Sequence, residues 1–153
     1  MSHGALAAAL LALGACALAT ERPPFDPFPE APTARVELST RAATRRLVEQ
    51  LERDSIPLAK VAERDGYVET AWLDAATLRP ATRRPLGDSV VRLRAWVDPG
   101  PPRESDVTIE LAWTAVADPS ADLRSLERPL PADHPLSRRV RAALDSLRAR
   151  YAH

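Results

Sequence analysis

Residues 136–151, LSRRVRAALDSLRARY, carry the clearest amphipathic pattern in the sequence. Their large apolar side chains recur at intervals of four, four, three and four residues, the spacing of one face of an α-helix. The members of this stripe are Leu136, Val140, Leu144, Leu147 and Tyr151. The pattern predicts a terminal helix whose apolar face packs on another element of the fold.

Two stretches with a period of two predict a sheet. In residues 90–97, VVRLRAWV, one set of alternate side chains is apolar, and the other contains two arginines and a tryptophan. The first set is Val91, Leu93, Ala95 and Val97, and the second is Val90, Arg92, Arg94 and Trp96. Residues 107–116, VTIELAWTAV, alternate in the same way. This period predicts two long strands, each with one face toward the helices.

Shorter elements precede these strands. Residues 34–38 alternate and predict a short strand, after which Ser39 or Thr40 caps a helix over about residues 41–54. In this helix Ala43, Leu47, Val48 and Leu51 fall on one side.

A hairpin is predicted next in the chain. Its two strands are residues 56–63 and 67–73, and they flank Arg64-Asp65-Gly66, in which Asp-Gly favours a tight turn. Residues 74–88 are predicted to form a loop.

Together these elements predict a single α+β domain over residues 34–153, with an antiparallel sheet of about four to five strands and two helices packed on one face.

The first residues form a different kind of segment. Residues 4–19, GALAAALLALGACALA, hold no charge, and as a helix they would be about 24 Å long, shorter than the ~30 Å hydrocarbon core of a bilayer. This length is typical of a secretory signal peptide. The alternatives are an ordinary cleavage site at Ala17-Leu18-Ala19, cut before Thr20, and an uncleaved membrane anchor.

Leu13-Gly14-Ala15-Cys16 resembles the lipobox of bacterial lipoproteins, in which the cysteine becomes the acylated N-terminus. The resemblance implies a signal peptide over residues 1–15 and a membrane anchor at Cys16, with two or three acyl chains for stable attachment. By resemblance to enteric lipoproteins, Ala17 in place of Asp favours the periplasmic face of the outer membrane. The inner membrane and a soluble periplasmic form remain alternatives.

Residues 16–33 are predicted to be a tether. Five prolines, an arrangement typical of polyproline II spacers, occur among residues 20–33, which would lift the domain some 40 Å from a membrane. Phe25 and Phe28 interrupt the segment, and we interpret them as incidental to a spacer. The alternative is that they pack back on the domain or dock on a partner.

Composition argues against several functions. Formal net charge is zero, so no bulk electrostatic attraction to nucleic acid is expected. Cys16 is the single cysteine, and His3, His134 and His153 lack metal-ligand spacing, so we predict no metal and no cofactor. Carboxylates near the hairpin are candidates for acid–base work, but a turn and ion pairs explain them as well. They are Asp54, Glu63, Asp65, Glu69 and Asp74. We predict that the protein is not an enzyme.

The hairpin sequence RDGYVETAW, residues 64–72, resembles the corresponding part of BamC-type lipoproteins. Together with a preceding capped helix, two long strands and a terminal helix, it is similar to their helix-grip domain over roughly residues 34–151. The resemblance implies a non-enzymatic interaction module that binds envelope proteins, including those of outer-membrane protein assembly.

The sheet face away from the helices is the predicted interaction face. It comprises Trp72, Arg92, Arg94 and Trp96, and tryptophan with arginine is the composition of interface cores. The alternative is that Trp96 lies flat on the sheet under an arginine, with no partner. A second class of function is a helix-grip carrier for a lipid or other apolar ligand, which a pocket of ~300 Å³ or more between sheet and terminal helix would favour.

Overall fold

The computed structural model describes residues 20–152, and Leu13, Gly14, Ala15 and Cys16 lie outside them. The described chain contains seven strands and three helices. In chain order they are β1 (Thr33–Val36), α1 (Thr40–Arg53), β2 (Lys60–Ala62), β3 (Tyr67–Glu69), β4 (Leu73–Asp74), β5 (Val90–Pro99), β6 (Ser105–Thr114), α2 (Leu123–Leu126), β7 (Glu127–Pro129) and α3 (Pro135–Tyr151).

The long hairpin of β5 and β6 forms the centre of the antiparallel sheet, whose order is β2-β3-β5-β6-β1. β4 pairs with the start of β5, beyond β3, and β7 pairs with the end of β6, beyond β1. Each neighbour of the central hairpin is thus divided into two short strands. This division raises the number of strands above the predicted four to five, and the predicted α+β class is confirmed.

Both long helices pack on one face of the sheet, as predicted. The side chain of Ser39 accepts a hydrogen bond from the amide of Ala42 and caps α1, and His134 Nδ1 accepts one from the amide of Leu136 and caps α3. Leu47 of α1 and Leu144 of α3 are buried in one core with Leu93 and Ile109 of the sheet. The period of the sequence therefore identified the inward face of each element correctly.

The predicted hairpin strands are shorter in the structure. The first is limited to β2, because residues 54–59 turn away from α1 and Ser55 adopts a positive φ. The second is interrupted between β3 and β4, where the hydroxyl of Thr70 accepts the amide hydrogen of Leu93 in place of a backbone carbonyl. Gly66 has a φ of 62° and forms the predicted turn, and a Cβ there would collide with the carbonyl oxygen of Val97.

Residues 20–33 do not form the predicted spacer. They lie across the sheet face opposite the helices, and their last residue, Thr33, begins β1. We call residues 20–32 the strap. The prediction that the folded domain begins at residue 34 is therefore wrong, since the strap packs on the sheet as part of the domain. None of the helices within residues 20–152 has the length and apolar character needed to cross a membrane.

Candidate functional site

The strap begins at a guanidinium clamp. The side chain of Arg22 donates to the carbonyl oxygens of Asp65, Gly66 and Val97, and its Nη1 lies 2.5 Å from Asp98 Oδ1. These partners lie at the β2–β3 turn and at the end of β5. Arg22 therefore fixes the start of the strap at one end of the sheet.

Aromatic side chains hold the next part of the strap. Phe25 packs edge-on against Trp96, with ring centroids 6.4 Å apart, and Tyr67 meets the other side of Trp96 at 5.5 Å. These rings and Ala62 form a second apolar cluster, on the face of the sheet away from the helices. Edge-to-face pairs of this kind stabilise packing beyond the area they bury.

The prediction that the interaction face is accessible to a partner is wrong for two of its four residues, although their orientation was predicted correctly. Arg92, Arg94 and Trp96 do point away from the helices, so the predicted register is correct. However, only 3% of Trp96 and 3% of Arg94 is exposed, because the strap covers both side chains. Trp96 is a core residue of the second cluster, and Arg94 belongs to a buried ionic network.

That network joins three strands and a short helix, namely β5, β6, β7 and α2. Arg94 Nη1 donates to Glu110 Oε1 at 2.9 Å, and its two terminal nitrogens hold Glu127 in a bidentate pair at 2.8 and 2.7 Å. Arg124 donates to the same carboxylates, at 2.8 Å to Glu110 and 3.2 Å to Glu127. Burying charges is tolerated here because each carboxylate contacts two guanidinium groups.

The network also binds the strap. The amide of Phe28 donates to Glu110 Oε2 at 2.9 Å, and Arg124 Nη2 donates to the carbonyl oxygen of Asp26 at 2.8 Å. The guanidinium of Arg124 lies over the rings of Phe28 and Phe25, at 3.9 and 4.5 Å from their centroids. The phenylalanines are therefore held by cation–π contacts as well as by packing.

Electrostatics favour the ionised forms of Glu127 and Arg94. Burial disfavours the charged form of Glu127, but hydrogen bonds and charge from Arg94 and Arg124 outweigh it, so the pKa of Glu127 is lowered. Burial also opposes the charge of Arg94, yet Glu127 and Glu110 raise the pKa of its guanidinium. Groups whose ionised form is favoured in this way are suited to stabilising a structure, since general acid–base work needs a pKa near the working pH.

Trp72 and Arg92 form the part of the predicted face that stays accessible. Trp72 is half-buried, and the guanidinium of Arg92 lies 4.6 Å from its ring centroid. Arg92 Nη1 also lies 3.1 Å from Glu69 Oε1, and burial lowers the pKa of this arginine. We call Trp72 and Arg92 the Trp72 platform. Leu123, 43% exposed, lies near Arg92 at the rim of a shallow pocket of about 240 Å³.

The carboxylates that were candidates for acid–base work do not converge. Asp74 accepts the amides of Ala76 and Thr77 in a turn, Glu63 pairs with Arg45, and Glu69 accepts the hydroxyl hydrogen of Tyr67. Asp65 accepts the amide of Glu21, and Asp54 is the C-cap of α1 and accepts from Gln50. Each carboxylate has a local structural partner.

Sequence reasoning missed Glu110, Arg124 and Glu127. A signal existed for the first, because the β5–β6 register places Glu110 directly opposite Arg94. No comparable signal existed for Arg124 and Glu127, which belong to α2 and β7, two short elements within a stretch predicted as a connection.

A small cavity lies between the edge of β6 and α3. It measures about 260 Å³ and is lined mainly by apolar side chains, including Phe28, Ile109, Leu130 and Val140. This volume is below the ~300 Å³ expected of a carrier. A larger and more open depression of about 430 Å³ lies between the loop after β4 and the start of α3, and charged side chains that include Asp74, Arg83 and Arg139 line it. It is therefore not the enclosed apolar pocket that a lipid carrier needs. Within residues 20–152, no group of three or more His, Cys, Asp or Glu side chains is arranged to hold a metal ion.

Comparison of the chain with protein-family models gives no match, and comparison with curated proteins gives no significant similarity.

Proposed function

We propose that the chain is a lipid-anchored protein of the cell envelope, acylated at Cys16, whose domain binds another envelope protein through the Trp72 platform. The observation that carries the proposal is the half-exposed Trp72 ring under the guanidinium of Arg92. Tryptophan and arginine dominate the binding energy of protein interfaces because they combine apolar area with polar groups. Leu123 adds an exposed apolar side chain near Arg92.

The proposal also covers the cellular location of the protein and its functional class. The lipobox resemblance supports acylation at Cys16, and Ala17 in place of Asp supports the periplasmic face of the outer membrane. The resemblance to BamC-type domains supports a non-enzymatic role in outer-membrane protein assembly. The ionic network fits this role, because its charged groups are saturated by one another and stabilise the fold.

Acylation has a direct test. In a bacterial host grown with labelled palmitate, the wild-type chain should incorporate the label, and Cys16→Ser should abolish it and leave unprocessed or soluble protein. Cys16 is the single cysteine, so the variant leaves no other thiol to be acylated. A wild-type chain that never takes up the label would refute the anchor.

The platform is tested by capture of a partner. The intact lipoprotein, cross-linked in envelopes and purified, identifies its partner, and the purified pair then gives a dissociation constant. Trp72→Ala should weaken that binding by ~2 kcal/mol, about thirtyfold. Val116→Ala is the control, since Val116 is an exposed apolar residue that belongs neither to the platform nor to the pocket beside it. Equal effects of the two substitutions would place the binding surface elsewhere.

A further inference from the structure

The clamp at Arg22 limits how far the domain can lie from an acylated Cys16. Six residue steps separate the two positions, and a chain spans at most ~3.3–3.6 Å per residue, so the reach is about 20 Å. The expected spacer of some 40 Å is therefore replaced by the segment between Cys16 and Arg22, which can span only about 20 Å. Because Arg22 is bound at the β2–β3 turn, this end of the sheet is the one that an anchor would hold against a bilayer.

A basic patch lies at this end of the domain. Arg41 and Arg45 of α1 surround a shallow depression with Val61 and Glu63 of the hairpin and Arg64 of its turn, next to strap residue Glu21. We call these residues the anchor-proximal patch.

Two of its arginines carry uncompensated charge. Arg45 pairs with Glu63 at 3.2 Å, and the neighbouring Lys60 pairs with Glu21 at 3.7 Å. Arg41 and Arg64 are exposed, and neither forms an ion pair with a carboxylate of residues 20–152. Val61 is 43% exposed beside them. Exposed guanidinium groups next to an apolar side chain match a phosphate-bearing interface above hydrocarbon.

We propose that the anchor-proximal patch rests on the anionic phospholipid headgroups of the membrane that holds Cys16. The proposal builds on the proposed acylation. The short distance between Cys16 and Arg22 favours this patch over other exposed arginines. Arg79 and Arg84 are also exposed, but they lie in the loop after β4 at the opposite end of β5. Six to seven residues of β5, roughly 20–23 Å, separate Val97 at the clamp from Val90 and Val91 beside β4, so those arginines lie at the limit of the ~20 Å reach or beyond it. Docking would orient the domain and leave the Trp72 platform at the side of the sheet, open to a protein partner.

The experiment supplies the anchor chemically. The chain that begins at Cys16 is coupled through this single thiol to a maleimide carrying one hexadecyl chain, since a single chain gives marginal, reversible membrane binding that an added contact strengthens measurably. Partition onto phosphatidylcholine vesicles, with and without phosphatidylglycerol, is measured by sedimentation. The combined variant Arg41→Glu, Arg64→Glu should lower partition onto the anionic vesicles about tenfold or more.

The matched control is Arg79→Glu, Arg84→Glu, which changes net charge by the same amount at the far end. It should alter partition by about twofold or less, and all three proteins should partition alike onto neutral vesicles. Equal losses for both variants would mean that net charge alone acts, and unchanged partition of the first variant would mean that the patch does not touch the bilayer. Either result overturns the inference. Thermal unfolding checks that both variants fold. Palmitate labelling in cells tests the acylation separately, so a failure of the proposed acylation can be told apart from a failure of the proposed headgroup contact.

Discussion

Trp96→Ala is expected to lower the free energy of unfolding by about 3–5 kcal/mol, the usual loss for a large aromatic side chain in a core. Trp96 lies between Tyr67 and Phe25, and its removal leaves a cavity that neither ring can fill without moving. Urea unfolding followed by circular dichroism measures the change. Trp96→Phe, which keeps a ring at the site, should cost less and remains measurable if the alanine variant does not fold.

Trp72→Ala is the matched control for this result. Trp72 is half-buried, lies in neither apolar core cluster and has the guanidinium of Arg92 over its ring, so its loss should cost about 1 kcal/mol or less. If Trp96→Ala were no more destabilising than Trp72→Ala, the strap would not be packed on the sheet in solution. The sequence-based interpretation of Trp96 as an accessible contact residue would then be restored.

Glu127→Gln is expected to cost about 3–5 kcal/mol, because it removes one charge of a buried pair and leaves the guanidinium of Arg94 partly uncompensated. Glu49→Gln is the control, since Glu49 pairs with Arg46 at the surface of α1, where such pairs contribute ~0–1 kcal/mol. Arg94→Met should cost less in the Glu127→Gln background than in the wild type, because the charge it removes there has already lost one of its two buried carboxylate partners.

The same residue predicts a pH dependence. The pKa of Glu127 is lower in the folded protein than its ordinary value of 4.5, so its contribution to stability is full above that value and is lost as pH falls toward the folded-state pKa. The difference in unfolding free energy between wild type and Glu127→Gln should therefore shrink as the pH is lowered through 4.5 and below. A difference that stays constant over this range would contradict an ionised, paired Glu127.

The strap changes how the N-terminal segment is interpreted. Its prolines suggested a spacer that keeps the domain away from a membrane, and the alternative, that Phe25 and Phe28 pack back on the domain, matches the structure. Proline-rich chain is compatible with such packing, because Pro23, Pro24 and Pro27 have no amide hydrogen that burial would leave unsatisfied. The segment therefore contributes both to the fold and to the placement of the domain near its proposed anchor.

The sequence by itself determined the two long helices, the two long strands and the side of each that faces the main core. These features depend on the local spacing of apolar residues. An apolar stripe along a helix fixes which face of that helix is buried, as for Leu136, Val140, Leu144 and Leu147. The alternation in β5 likewise placed Arg94 and Trp96 on the face away from the helices.

Only the tertiary structure decided what lies over that second face. A period of two tells which side of a strand a residue occupies, but not whether another segment covers it. The cover of Trp96 comes from Phe25, about seventy residues away in the chain. The charge of Arg94 is compensated by Glu110 and Glu127, 16 and 33 residues away. Glu110 lies on the paired strand, where the register could have indicated it, but Glu127 belongs to a separate short strand. Nothing local in the sequence shows that Glu127 reaches Arg94, and burial of the Arg94 charge depends on that contact.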